Sequence, residues 1–238
     1  MNKNLVKRAI ILAAGEGKRL RPLTEKIPKP LIEVNGKRMI DTIIQSLQRN
    51  GISEIYIVVG YLKEQFDSLI NQYDGVRLIE NPFYTECNNI SSLYVARHYI
   101  DDCFILDGDQ LIYNDAVLNP DIECSGYSAI QIDDHTDEWV MQVENDRVVS
   151  CSRNGGDKGW QLFSVSRWNS ADGLKLKTHL EQEFETKHNY DIYWDDIPIF
   201  LHAEEYELGI YRMNKGDVLE IDNIHELATV DRQYLKYV

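Results

Sequence analysis

Apolar and polar positions in the first half of the chain follow two alternating periods. Ala9–Ala14 is a short continuous apolar run closed by Gly15, the pattern of a strand buried on both faces. Met39, Ile40, Ile43, Ile44 and Leu47 recur at helical spacing, and Gly51 stops that helix. The β-branched run Ile55–Val59 reads as a second buried strand, and Lys63–Tyr73 as a helix. Val76–Glu80 (strand), Asn89–Tyr99 (helix) and Cys103–Leu106 (strand, ending at Asp107-Gly108-Asp109) complete a βαβαβ order. That order predicts an α/β fold, Rossmann-like, with a mixed, mainly parallel sheet flanked by helices.

The second half changes character. Tyr127–Ile132, Trp139–Glu144 and Arg147–Cys151 read as short strands, with Asn145-Asp146 as a hairpin turn. Ala171–Lys187 reads as a charged amphipathic helix, Gly209–Met213 and Val218–Ile221 as strands, and Ile224–Leu235 as a closing helix. The expectation is one domain over 1–238. Its C-terminal lobe, 116–238, extends the sheet begun by 1–115.

Composition narrows the partners. The net charge of −14 argues against a nucleic-acid backbone or an anionic membrane surface. The average hides an asymmetry: residues 1–50 carry 11 Lys/Arg against 4 Asp/Glu, and the rest carries 14 against 35. A basic N-terminal segment on an acidic body suits a small anionic ligand, or simply a solvated basic edge. The four cysteines are scattered without a CxxC, which fits inert thiols in a reducing cytosol. No run approaches the roughly 18–20 apolar residues of a membrane span, and Met1–Ala14 is not a signal peptide. A cytoplasmic protein without membrane insertion is expected. The six histidines show no metal-ligand spacing and read as surface residues.

The strongest local signal is Leu12-Ala13-Ala14-Gly15-Glu16-Gly17-Lys18-Arg19-Leu20-Arg21-Pro22-Leu23-Thr24, followed by Pro28-Lys29-Pro30-Leu31. A glycine turn after a buried strand can wrap backbone N–H groups around phosphates. It is not a P-loop, since Leu12 and Arg19 stand where Gly and Ser/Thr are needed. It is not a dinucleotide fingerprint, since Leu20 replaces the third Gly.

The run resembles the signature of nucleotidyltransferases that join a nucleoside triphosphate to a phosphorylated small molecule. Within that superfamily the chain most resembles bacterial CTP:phosphocholine cytidylyltransferases. The supporting stretches are Val59–Phe66, Asn88-Asn89 with Ser92-Leu93-Tyr94, Glu138-Trp139 and Tyr193-Trp194-Asp195. Cytidylyltransferases of 2-aminoethylphosphonate are the related alternative. The resemblance implies roles by position. Leu12 to Lys18 would cradle the nucleotide, Arg19 would bind the triphosphate, and Lys29 would sit between the α-phosphate and the incoming phosphate. Asn88, Asn89 and Ser91 would face the cytosine edge; helix capping is the competing role for the asparagines. Asp109 and Asp222 would hold Mg²⁺, with Asp107 as a further contact. Trp139, Tyr193, Trp194, Asp195 and Asp196 would form the acceptor pocket, although core packing competes for both tryptophans.

The implied partners are CTP and a small phosphorylated or phosphonate amino-alcohol, and a homo-oligomer is left open. Gly159–Leu162 and Ser166–Trp168 depart from the phosphocholine pattern. A sugar-1-phosphate nucleotidyltransferase and a catalytically silent nucleotide-binding subunit are the rival classes. The Trp-Asp clusters speak against the first. The joint presence of Arg19, Lys29, Asp109 and Asp222 speaks against the second.

Overall fold

A computed structural model describes residues 5–238. In chain order its strands and helices are β1 (Arg8–Ala13), β2 (Glu33–Val34), β3 (Lys37–Arg38), α1 (Met39–Arg49), β4 (Glu54–Val59), α2 (Asp67–Gln72), β5 (Val76–Glu80), α3 (Ile90–Ala96) and β6 (Cys103–Asp107). There follow β7 (Gln110–Ile112), β8 (Gly126–Ile132), β9 (Val140–Glu144), β10 (Arg147–Ser152), β11 (Gly159–Trp168), α4 (Ser170–Glu181), β12 (Gly209–Arg212), β13 (Val218–Glu220) and α5 (Ile224–Val230). The main sheet has nine strands in the order β5-β4-β1-β6-β11-β8-β12-β10-β9. β5, β4, β1 and β6 run parallel, and β11 enters antiparallel to β6.

The apolar periods do what they predict. Ile11 on β1 faces a core that includes Ile40, Ile43, Ile44 and Leu47 of α1, all without solvent exposure. Its neighbours Ile10 and Leu12 face the opposite core with Leu93 of α3 and Leu176 of α4. A strand covered on both sides needs no polar alternation, which is why β1 and β4 read as unbroken apolar runs. Asn145 and Asp146 both take positive φ, 50° and 61°, as a two-residue hairpin turn requires.

One strand goes unread in the sequence and two expectations are corrected. The longest strand, β11, gave no clear strand signal, because Ser166 and Arg167 are polar residues in a buried strand. Both find tertiary partners: Ser166 Oγ donates to the Ile105 carbonyl, and Arg167 donates to the carbonyls of Val117 and Asn119, while its Nη1 stays buried without one. The register with β8 also shifts between Phe163 and Ser166. First, the strand at Val218–Ile221 does not extend the main sheet. It forms a separate ribbon with β7, placing Gln110 opposite Glu220. Second, the closing helix breaks after Val230. Asp231 leaves helical geometry, and its carboxylate accepts from the Asn35 and Gln233 backbone N–H groups at 2.7 and 3.1 Å.

Candidate active site

The site lies at the carboxyl ends of β1 and β6, where open α/β sheets hold ligands. Parallel pairing sets Leu12 beside Asp107, and Gly108 N–H donates to the Leu12 carbonyl at 2.8 Å. A Cβ on Gly108 would stand 3.1 Å from both Ala13 Cβ and the Leu12 oxygen, so the acidic turn lies flat against the glycine loop. The two loop glycines have different reasons. Gly17 has φ +61°, and a Cβ there would meet Lys29 Cβ and Thr24 Cγ2 at 3.0 Å. A Cβ on Gly15 would meet nothing within 4 Å, so its bare backbone opens onto the cavity.

Lys29 is the centre of the charge arrangement. Its side chain is 9% exposed, and Nζ lies 2.6 Å from Asp109 Oδ2 and 3.3 Å from Asp222 Oδ1. Burial alone would lower its pKa, but Asp109, Asp222 and Glu220 raise it above the usual lysine value, so it stays an ammonium. Arg19, largely exposed, reaches Asp222 Oδ1 at 2.6 Å. On the acidic side, burial and the neighbouring Asp109 push Asp107 up to about 7. Burial and the same aspartates push Glu220 well above the ordinary range.

The chemistry of the donor set fits a hard divalent cation. Asp109, Glu220 and Asp222 offer carboxylate oxygens within 4.8 Å of one another, and Asp109 Oδ1 is buried without a hydrogen-bond partner. Glu220, at the end of β13, joins this cluster although the sequence reading did not single it out; it stands two residues before Asp222.

Two cavities meet at this cluster. One, of about 430 Å³, is lined by Leu12 to Leu20, Lys29, Tyr84, Thr85, Asn88, Asn89, Ser92, Asp107 and Asp109. The other, of about 310 Å³, is lined by Glu138, Trp139, Leu162, Ser164, Asp195 and Glu220. Arg19, Asn89, Asp107, Asp109, Tyr193 and Asp222 line both. Trp139 meets Tyr193 edge-on at 6.0 Å and 88°, forming two apolar walls at right angles. Glu138 and Asp195 add carboxylates. Asp195 is buried, its Oδ1 has no partner, and burial followed by Asp107 pushes its pKa well up.

Several predicted site residues stand elsewhere. Ser91 is fully buried, and its hydroxyl donates to the Asn88 carbonyl, so the cavity wall is Ser92 instead. Trp194 is 2% exposed and packs between Tyr127 and Trp168, with centroids at 6.2 and 5.8 Å; it belongs to the core. Asp196 lies behind the pocket, paired with Arg153 at 2.7 Å and accepting from Tyr193 N–H. Asn89 does not cap α3. Its Oδ1 accepts from Trp194 N–H at 2.9 Å and ties the 193–196 segment to the nucleotide side.

Residues 8–119 match the Nucleotidyl transferase family. Over 229 residues the chain is 35% identical to 2-aminoethylphosphonate cytidylyltransferase of Lancefieldella rimae, covering 95% of this chain and 93% of the relative. The chain belongs to the nucleotidyl transferase family. Choline-phosphate cytidylyltransferase of Streptococcus pneumoniae is 34% identical over 224 residues, 94% of this chain and 96% of the relative. A solved structure of CTP:phosphocholine cytidylyltransferase from Streptococcus pneumoniae aligns with a TM-score of 0.89 at 33% identity, over 96% of this chain and 99% of that one. The mixed α/β single domain is thus the fold of that nucleotidyltransferase. No helix among the described residues is long and apolar enough to cross a membrane.

Proposed function

We propose that the protein transfers CMP from CTP to a small zwitterionic phosphate, phosphocholine, giving CDP-choline and pyrophosphate. The observation that carries this reading is the meeting of two cavities at Arg19 and at Asp109 and Asp222, the two aspartates that hold Lys29. One is walled by the glycine loop, the other by two aromatic faces and two carboxylates. On this reading 1–115 mainly hold the nucleotide and 116–238 mainly hold the acceptor. Backbone of Ala13 to Gly17 approaches the phosphates, and Arg19 and Lys29 offset their charge. Asn88 and Asn89 line the nucleotide cavity; the Asn89 oxygen is taken by Trp194 N–H, which leaves its amide NH₂ to donate to the cytosine carbonyl.

The acceptor phosphate is already an oxyanion, so attack on the α-phosphorus needs no general base from the protein. Positioning and charge neutralisation supply the rate. Lys29 lines the nucleotide cavity, and Asp109 and Asp222, which line both cavities, hold its ammonium at their junction. Asp109, Glu220 and Asp222 would hold Mg²⁺, which when bound supplies further positive charge to the phosphate oxygens.

A second reading, 2-aminoethylphosphonate as acceptor, draws on Asp195. Asp195 lines the second cavity, and a carboxyl there suits a primary ammonium, which donates hydrogen bonds, while a trimethylammonium donates none. The test is pyrophosphate release with Mg²⁺ and each of CTP, UTP, ATP and dTTP, crossed with phosphocholine, 2-aminoethylphosphonate and glucose 1-phosphate. Turnover is expected with CTP and a zwitterionic acceptor. Turnover confined to glucose 1-phosphate overturns the cytidylyltransferase reading, and none at all favours a silent nucleotide-binding subunit.

The aromatic wall has its own consequence. Trp139→Ala removes one face against the cationic headgroup, a contact worth about 1–2 kcal/mol when desolvated, so the acceptor KM should rise roughly 5–30-fold. The KM for CTP should stay within about twofold. An equal rise in both constants would mean that Trp139 only supports the fold.

A further inference from the structure

The histidines, unremarkable by spacing, are not all isolated in the fold. His179 on α4 and His202, just after the turn Ile197–Leu201, stack with centroids 3.8 Å apart and planes 10° from parallel. Glu205 closes the group: its Oε2 lies 3.4 Å from His179 Nε2 and its Oε1 3.3 Å from His202 Nδ1. The three ligand atoms lie within 4.8 Å of one another.

The outer nitrogens are already engaged. His202 Nε2 is 3.0 Å from Glu183 Oε1, and His179 Nδ1 is 2.8 Å from the Tyr206 hydroxyl. Glu183 is fully buried and accepts hydrogen bonds from Lys187 Nζ and Asn189 Nδ2, so it stands as an acceptor toward His202. His202 therefore carries its proton on Nε2. In the neutral ring the Nδ1 lone pair then faces a Glu205 oxygen at 3.3 Å, a separation that either a proton or a metal cation can bridge. His179 Nδ1 is held by the Tyr206 hydroxyl, which leaves Nε2 as the nitrogen that faces Glu205.

We infer that His179, His202 and Glu205 form a binding site for a zinc-like divalent cation, separate from the carboxylate cluster of the active site. Two imidazoles and one carboxylate suit a borderline cation such as Zn²⁺, while the all-oxygen cluster suits a hard one. The engaged outer nitrogens are what metal-bound histidines usually have. Parallel rings cannot aim both lone pairs at one point, so binding fans them apart and draws the ligand atoms toward the ~3.4 Å spacing of a tetrahedral ion. Glu205, 47% exposed on the single turn Ala203–Glu205, is free to follow. The ion would clip α4 to the segment that leads from Tyr193 and Asp195, stiffening the back of the second cavity.

The test is Zn²⁺ titration of the full chain, thiols alkylated, in millimolar Mg²⁺, with free zinc read by a chromophoric chelator. One equivalent should bind at micromolar free Zn²⁺, and binding should weaken by roughly tenfold or more in His202→Ala and in Glu205→Gln. Circular dichroism checks the fold of the first variant, and the exposed Glu205 site decides if that variant unfolds. Asp109→Ala should bind Zn²⁺ as the parent does. No uptake by the parent, uptake unchanged in Glu205→Gln, or uptake lost in Asp109→Ala each overturns the site.

Discussion

Lys29→Met is expected to lower kcat by about 10²–10³-fold, the usual cost of removing one preorganised charge from a developing-charge site. Methionine keeps most of the volume and none of the charge. The lysine is the buried cation among Asp109, Glu220 and Asp222, so its loss leaves those carboxylates to repel one another. Two further readouts separate this from simple misfolding. CTP should bind more weakly, because a counter-charge for phosphate has gone. Mg²⁺ should bind more tightly, because the ammonium no longer competes for the same oxygens, and added Mg²⁺ should recover part of the lost thermal stability. A variant that keeps kcat within about threefold would place the charge neutralisation elsewhere.

Trp194→Ala should destabilise the fold by about 3–5 kcal/mol, the range for deleting a buried tryptophan. For a chain of this length that corresponds to a fall in Tm of roughly 10 °C. The side chain fills the space between Tyr127 and Trp168, with no cavity face of its own. The backbone beside it is held by Asn89, so loosening should weaken CTP and acceptor together. Denaturant midpoints and both KM values check this. A small stability loss with a selective rise in the acceptor KM would return Trp194 to the pocket wall.

The two tryptophans show where sequence reasoning stops. Trp139 and Trp194 both stand next to acidic residues, and both fit a cationic headgroup by chemistry. Only packing separates them: Trp139 is half-buried against Tyr193 and Phe200, and Trp194 is enclosed. Neighbouring residues along a chain turn to different sides, and which side is solvent depends on strands that are remote in sequence. The same holds for Ser91 and Ser92. Successive helical residues differ by about 100° in direction, so Ser91 lies under Asn88 and Ser92 reaches the cavity wall, although both hydroxyls accept from the Asn81 amide.

Local pattern was sufficient for the parallel half of the sheet, the glycine loop and the acidic turn. Their signals each lie within a few residues of chain: an apolar strand, a left-handed Gly17, and an Asp-Gly-Asp turn small enough to lie on the neighbouring strand. Local pattern was not sufficient for β11, the β7–β13 ribbon or the His179–His202 pair. Each joins polar groups whose burial is favourable only with partners from distant segments, so no period along the chain announces them. The sequence by itself determined the chemistry that could gather, the basic loop and the carboxylates. The tertiary structure decided which of these groups share one desolvated space, because long-range pairing sets both distance and exposure.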